Sequence, residues 1–490
     1  MEGNKGIGLL DRMFNLSAYN ARPRTEIMAG ITTFLAMAYI LFVNPSILTS
    51  GFEYSMSLAT GMPLSDISQQ YFALIQQVRL SFTVATALAA GVATLIMSLY
   101  ARLPFALAPG MGENAFIAFT VIPAFTKILK ISPLSSSIDI PMFSIYLALI
   151  SVLFNGILFM IFSIGKIREF IINSVPESIK IGIAIGIGLF ISTIGLSDIG
   201  LIMPGNGGLV TINWQSFLTL PLYIGFLTLI IATILNKYKV SGSYLIAIVI
   251  ATIIGIAFNL VSIPPTFSLI PTFSTSILNN IPMSFYLYFT LFGIGFPIAF
   301  SLFLVDFFDG IGTITGLADK AGLIKNGKVI NINKALISDS LASIIAPFFG
   351  TSTTVVYIES AAGIESGGKT GLTSFVTGIL FLISMVLAPL FTIVPSFATG
   401  GVLVIVGLSF MTLFGKLIQI TDPLEYIPAY LTILGIPLTF SITAGIGLGA
   451  ITYVLLKIFA GKFSDIRPGI ILIAILFALY FGLTTYLEAG

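Results

Sequence analysis

The chain contains no cysteine and no histidine. Without thiols there is no disulfide, no thiolate metal site and no cysteine nucleophile. Without imidazole, proton handling near neutral pH falls to carboxylates in perturbing surroundings, or to lysine or tyrosine. Charge is scarce as well. Asp, Glu, Lys and Arg make up 9% of the 490 residues, where soluble domains carry about a quarter. The net charge of +2 is too small to point to nucleic acid. Nor is a cleavable leader expected, because Glu2, Asp11 and Arg12 precede any apolar run.

What is present is hydrophobic: 57% of residues, with a mean hydropathy of +1.06. Apolar runs of about 20 residues recur from end to end, as a polytopic helical membrane protein requires. The predicted spans are 26–49, 82–100, 104–122, 143–164, 178–196, 217–236 and 244–263, then 297–317, 334–349, 351–365, 370–393, 399–415, 424–440 and 441–458. With the N-terminus inside and fourteen crossings, all of the 22 Lys and Arg residues except Arg79, Lys127 and Lys130 fall on the inner side. That is a strong positive-inside bias. A last apolar segment, 468–486, either lies along the inner face or crosses.

Two weak echoes organise the spans. "GILF" occurs at 156–159 and at 378–381, an offset of 222. Val175-Pro176 followed by Gly188-Leu189 returns as Val394-Pro395 followed by Gly407-Leu408, an offset of 219. Their shared order suggests two repeats of seven spans. Seven is odd, so the second copy is inverted, an arrangement that places the site where broken helices meet at the midplane.

Two segments are built to break. "PFALAPGMGENAFIAF", 104–119, has Pro104, Pro109, Gly110 and Gly112. "PFFGTSTTVVYIESAAGIESGG", 347–368, has Pro347, Gly350, a β-prone run containing Thr353, then Glu359. Both are third in their repeat. An extended piece leading into a half-helix exposes backbone N–H groups at the helix start.

The acids deep in the apolar segments are Glu113, Asp306, Asp309, Asp339 and Glu359. Asp309 lies ten residues before Asp319 at the first basic inner loop, or roughly 15 Å of helix. That is the midplane of a core about 30 Å thick. Each such carboxylate costs about 2.5–3.5 kcal/mol on insertion scales and is functional by default. Asp339 starts nearer the inner surface, where a structural role is the simpler expectation. No lysine or arginine is expected at comparable depth. Phe105, Phe116 and Phe308 are placed to stack on an aromatic ligand. The glycines of "IGIAIGIGLF", 181–190, read as helix–helix contacts, and "GGKTGLTS", 367–374, lacks phosphate-loop spacing.

At these residues the chain resembles the AzgA-like purine permeases of the nucleobase/ascorbate transporter superfamily. The blocks are "TEIMAGITTFLAMAYILFVNP" (25–45), "LAPGMGENAF" (107–116), "GIAIGIGLF" (182–190), "FLVDFFDGIGT" (303–313), "GTSTTVVYIESAAGIESGGKTGLTS" (350–374) and "FATGGVLVIVGLSFM" (397–411). The resemblance implies an all-α fold of 14 transmembrane segments in two inverted 7-helix repeats, with short strands in segments 3 and 10. It implies a core domain from 20–165 and 284–393, a gate domain from 166–265 and 394–460, and a C-terminal apolar segment, 461–490. It also implies uptake of adenine, hypoxanthine or guanine by proton symport at a cell membrane, with core moving against gate. Asp309 and Glu359 fall on the acids that hold the base and Asn114 on the polar position of segment 3. Thr353, Phe308 and Phe116 complete the expected binding set, and Asp309, Glu359, Glu113 and Asp306 are the candidates for proton coupling. Glu113 stands where many members have an apolar residue. A homodimer through gate helices is a further expectation, and neither a cofactor nor a metal is.

The alternatives are the same fold with uracil or xanthine as substrate, or with Na⁺ as the coupling ion. An anion exchanger would want a basic residue at site depth. An intramembrane enzyme is remote: the YD and GxGD motifs of aspartyl proteases are absent, and there is no histidine for a metal.

Overall fold

The computed structural model describes residues 9–133, 135, 137–163, 174–204, 210–261, 281–325 and 328–489. Lys5, Lys166 and Arg168, and the domain junctions at 165/166 and 265, lie outside the described residues.

In lipid every backbone polar group must be satisfied within the chain, so the apolar runs become helices. Among the described residues twelve helices are long and apolar enough to cross a membrane. They include Pro23–Thr60, Phe72–Ala101, Ile140–Phe162, Glu177–Asp198, Phe292–Lys320 and Ile332–Phe349. Ser243–Ala257 and Pro423–Thr439 are shorter. Starts are marked by Pro at the first turn or by a capping side chain. Asp139 accepts from the Met142 amide at 3.3 Å and Ser441 from the Ala444 amide at 3.1 Å.

The helices sort by packing. Glu177–Asp198, Leu220–Lys237, Ser243–Ala257, Ser396–Ser409, Pro423–Thr439 and Ile442–Phe459 pack on one another. Pro23–Met37, Ile40–Thr60, Phe72–Ile96, Ile140–Phe162, Phe292–Lys320, Ile332–Phe349 and Gly371–Ser384 form the other group. Within the first group the two members of the sequence echo touch. A Cβ on Gly188 would lie 2.6 Å from the Gly407 carbonyl oxygen, and a Cβ on Gly407 would meet the Gly188 carbonyl oxygen in return. Two turns along, Gly195 and Gly400 make the same reciprocal approach, at 2.6 and 2.8 Å. The glycine series is therefore a helix–helix seam.

The apolar segment left open at 468–486 is a helix, Pro468–Ala489. Gly469 meets Ser174, next to the start of Glu177–Asp198, while Leu483 meets Gly293 at the far end of the Phe292–Lys320 helix. The helix thus runs the length of the bundle, from the Lys320 end to the opposite one, rather than along one face.

The two break segments meet. Leu107–Pro109 and Thr354–Val356 are strands that pair antiparallel, Leu107 opposite Val356 and Pro109 opposite Thr354. Arg102 at φ 59 and Gly350 at φ 90 turn the chain out of the preceding helices. Two further hairpins, Ile202–Pro204 with Val210–Ile212 and Ile324–Lys325 with Lys328–Val329, lie outside the segments where strands were expected. "GGKTGLTS" wraps a carboxylate rather than a phosphate. Buried Glu26 accepts from the amides of Lys369 (2.9 Å) and Thr370 (3.2 Å) and the hydroxyls of Thr370 (2.9 Å) and Thr373 (2.6 Å).

Candidate functional site

Each strand feeds a short helix: Met111–Phe116 after the first, Ser360–Glu365 after the second. The Gly110 amide donates to the Thr353 carbonyl at 3.1 Å and the Tyr357 amide to the Ala106 carbonyl at 2.9 Å. The Tyr357 hydroxyl donates to the Pro109 carbonyl and the Ser352 hydroxyl to Asn114 Oδ1. Asn114 is thereby fixed by the partner strand, fully buried at the half-helix start. Glu113, also buried, curls its carboxylate back over Gly110 and the start of its own helix.

The Phe292–Lys320 helix packs against both half-helices and the second strand. Asp306 is fully buried, and its Oδ2 accepts from Asn155 (2.8 Å), Thr353 (2.7 Å) and Ser343 (3.1 Å). Its Oδ1 has no partner among the described residues. Asp309, one turn on, is half-buried and has no hydrogen-bond partner among the described residues; Asp306 and Glu359 are its electrostatic neighbours. Glu359 stands at the position before the Ser360–Glu365 helix and accepts from the buried Tyr39 hydroxyl at 2.6 Å. The Tyr39 ring in turn meets Tyr244 edge-on at 5.2 Å, a contact between the two helix groups.

The expected residues divide accordingly. Asn114, Glu113, Thr353, Asp306, Asp309 and Glu359 converge on the strand pair. Phe105 and Phe116 are fully buried in the packing. Phe308 is half-buried, with the Lys180 ammonium 5.3 Å from its ring centroid. Lys180, in the first turn of the Glu177–Asp198 helix, reaches the Phe308 ring on its long stem. Lys180 also pairs with Glu177 at 3.1 Å.

Tyr39, Asn155, Ser343, Ser352 and Tyr357 were not anticipated. Asn155 had one signal, a lone amide in an apolar span beside the first "GILF". Ser and Thr are too common in membrane helices to stand out.

A cavity of about 700 Å³ is lined by Pro176, Lys180, Glu425, Tyr453, Lys457 and Arg467. Buried Lys457 pairs with Glu425 at 3.0 Å, and with Asp465 (3.6 Å) and Asp422 (3.7 Å). The Leu424 amide, which Asp422 caps, holds the Asp422 carboxyl below the usual range, with Lys462 and Lys457 adding to the effect.

Comparison with known proteins places this arrangement. A sequence model described as "Permease family" matches residues 24–448. The adenine permease AdeQ of Escherichia coli is 36% identical over 96% of this chain and 96% of its own length. The guanine/hypoxanthine permease PbuG of Bacillus subtilis is 36% identical over 96% of this chain and 98% of its own. Among solved structures, the transmembrane domain of the cyanobacterial bicarbonate transporter BicA superposes with a TM-score of 0.54 at 15% identity, covering 87% of this chain and 97% of that one. That likeness establishes a shared fold.

Proposed function

We propose, for a chain that belongs to the Permease family, that it carries purine nucleobases into the cell by proton symport, with one helix group moving against the other. The family is one of transporters, and the protein is a multi-pass membrane permease rather than an enzyme. The observation that carries the substrate reading is the meeting of Asp309 and Glu359 with two half-helix starts around a strand pair. A purine offers N–H donors and ring acceptors on a flat body. Carboxylates accept the N–H groups, and helix-start amides donate to ring nitrogen or carbonyl oxygen. Relatives named as adenine and guanine/hypoxanthine permeases support the same substrate class.

The fourteen-crossing, two-repeat architecture belongs to the proposal. The reciprocal Gly188–Gly407 contact and the antiparallel pairing of the two third segments support it, since equivalent residues meet at a dyad. The core is then the helix group that carries the strands, the gate is the other, and the N-terminus is cytoplasmic. Direct polar contacts between the groups, Arg79 to the Val394 carbonyl and Thr120 to the Phe440 carbonyl at 2.6 Å, lie toward the end away from Lys320 and Lys457. We read the groups as closed at that end, as the inward-facing state of an alternating-access cycle requires.

Uptake of labelled adenine, hypoxanthine, guanine, xanthine and uracil, with and without a protonophore, tests the reading. Saturable purine uptake that collapses with the protonophore is expected. Accumulation that survives it and needs Na⁺ rejects proton coupling, and transport of uracil alone rejects the substrate class.

Arg79→Ala should bias the cycle outward. Loss of a charge-assisted hydrogen bond, about 1.5 kcal/mol, shifts a two-state equilibrium roughly tenfold. The cysteine-free chain makes the readout direct. A single Ile187→Cys, on the gate helix facing Gly112, should be labelled by a membrane-impermeant thiol reagent from outside about tenfold faster in the Arg79→Ala background. Unchanged labelling removes Arg79 from the outer closure.

A further inference from the structure

The fold shows how it treats a structural carboxylate. Glu26, fully buried, receives four hydrogen bonds, two from backbone amides and two from hydroxyls. Asp339 is equally buried, at 0% exposure, and neither of its oxygens has a hydrogen-bond partner among the described residues.

Its surroundings explain why. The Ile332–Phe349 helix packs against Ile140–Phe162 and Phe292–Lys320. Asp339 Oδ2 lies 2.6 Å from the point where a Gly310 Cβ would stand, and the Phe159 ring lies 3.4 Å from that point. In this slot Oδ2 thus faces a glycine and an aromatic edge. The charged groups facing Asp339 from neighbouring elements are all acids: Asp306 and Asp309 on the Phe292–Lys320 helix, and Glu113 on the half-helix. Ile140–Phe162 brings no charged residue, and the Thr354–Val356 strand none. The one charge of Phe72–Ile96 is Arg79, which is turned to Val394. On its own helix, Lys334 is drawn away over the Tyr100 ring, 5.8 Å from the centroid.

One turn along the same face from Asp339, Ser343 donates to Asp306. There Asp306 Oδ1 and Asn155 Oδ1 also lack partners among the described residues. Carboxylate and amide oxygens in this region therefore outnumber the donors turned to them. An isolated buried carboxylate is far costlier than a neutral acid, so such a group takes up a proton.

We propose that Asp339 is the binding site of the symported proton, lying behind the nucleobase site against the face of the Phe292–Lys320 helix that carries Asp306 and Gly310. This rests on the proton-symport reading above and names the group that reading leaves open. The step is a protonation equilibrium: carboxylate plus proton gives the carboxylic acid, released when the slot opens to the inner side. Substrate contact stays with Asp309 and Glu359, and the two sites communicate through Ser343, Asp306 and Thr353.

The test uses the purified full-length protein in liposomes with labelled adenine. A one-unit inward proton gradient should drive wild-type accumulation up to about tenfold, the limit for one proton per base. Asp339→Asn, isosteric and permanently neutral, should keep adenine counterflow within about twofold while its gradient-driven accumulation falls to the level without a gradient. Wild-type-like accumulation in Asp339→Asn overturns the proposal, and so does loss of counterflow together with accumulation in a folded variant. If Asp339→Asn cannot be obtained folded, Gly310→Ala tests the same slot. Its methyl would press on Oδ2, and the same separation of counterflow from accumulation is expected; unchanged accumulation overturns the proposal. Wild-type counterflow with no response to a proton gradient, or a response to Na⁺ instead, defeats the symport reading itself and is distinct from every variant result.

Discussion

Uptake of labelled adenine by Glu359→Ala is expected at background, with the protein present in the membrane at normal abundance. Glu359 sits at the start of a half-helix, oriented by the Tyr39 hydroxyl at 2.6 Å. Charge-assisted hydrogen bonds of this type are worth about 1.5–3 kcal/mol each, or roughly 10- to 100-fold in affinity. Truncation also leaves the Tyr39 hydroxyl without its acceptor. Asp309→Ala should be as severe. Asp309→Asn should retain part of the uptake, because an amide oxygen still accepts from a base N–H, and the proton is assigned to Asp339. Tyr39→Phe leaves the Glu359 carboxylate in place but unanchored and should cost about tenfold in apparent affinity. Uptake in cells lacking their own purine permeases, normalised to immunoblotted membrane protein, measures all four. Normal uptake by either alanine variant rejects the site.

Gly188→Ala is expected to cost the folded protein itself. The added methyl would stand 2.6 Å from the Gly407 carbonyl oxygen and 2.6 Å from Phe410 Cβ. Neither neighbour is the free end of a flexible side chain, so the Glu177–Asp198 and Ser396–Ser409 helices must separate. Overpacking of side chains alone costs about 1–3 kcal/mol, and a clash with backbone costs more. The monodisperse peak on size exclusion should shrink sharply and the apparent melting temperature fall. Gly482→Ala is the control. Nothing lies within 4 Å of its Cβ position, and the better helix propensity should leave stability unchanged or raised by up to about 1 kcal/mol. Equal behaviour of the two variants removes the glycine seam from the account of assembly.

Composition and local pattern carried much of the site's outline. A carboxylate in an apolar run is conspicuous wherever the chain folds, so Glu113, Asp306, Asp309, Asp339 and Glu359 were all visible. Two Pro/Gly-interrupted segments announced themselves because proline and glycine disrupt a helix by their own covalent geometry. The roles within that set were harder to see. Asp306 and Asp309 are three residues apart on one helix, yet one takes three hydrogen bonds and the other none. The difference lies in Asn155, Ser343 and Thr353, donors from distant parts of the chain. Phe116 looked available for stacking and is buried, while Lys180 looked like an inner-surface charge and reaches Phe308.

Sequence alone determined that this protein is a polytopic membrane protein with a broken-helix centre rich in acids, because insertion energy and helix breaking are properties of a residue and its near neighbours. Only the tertiary structure decided which acids are satisfied and which are left without donors, that Gly188 and Gly407 meet, and that the last helix runs the length of the bundle. Those outcomes depend on what other helices bring within hydrogen-bond or van der Waals range, and no local stretch of sequence encodes that.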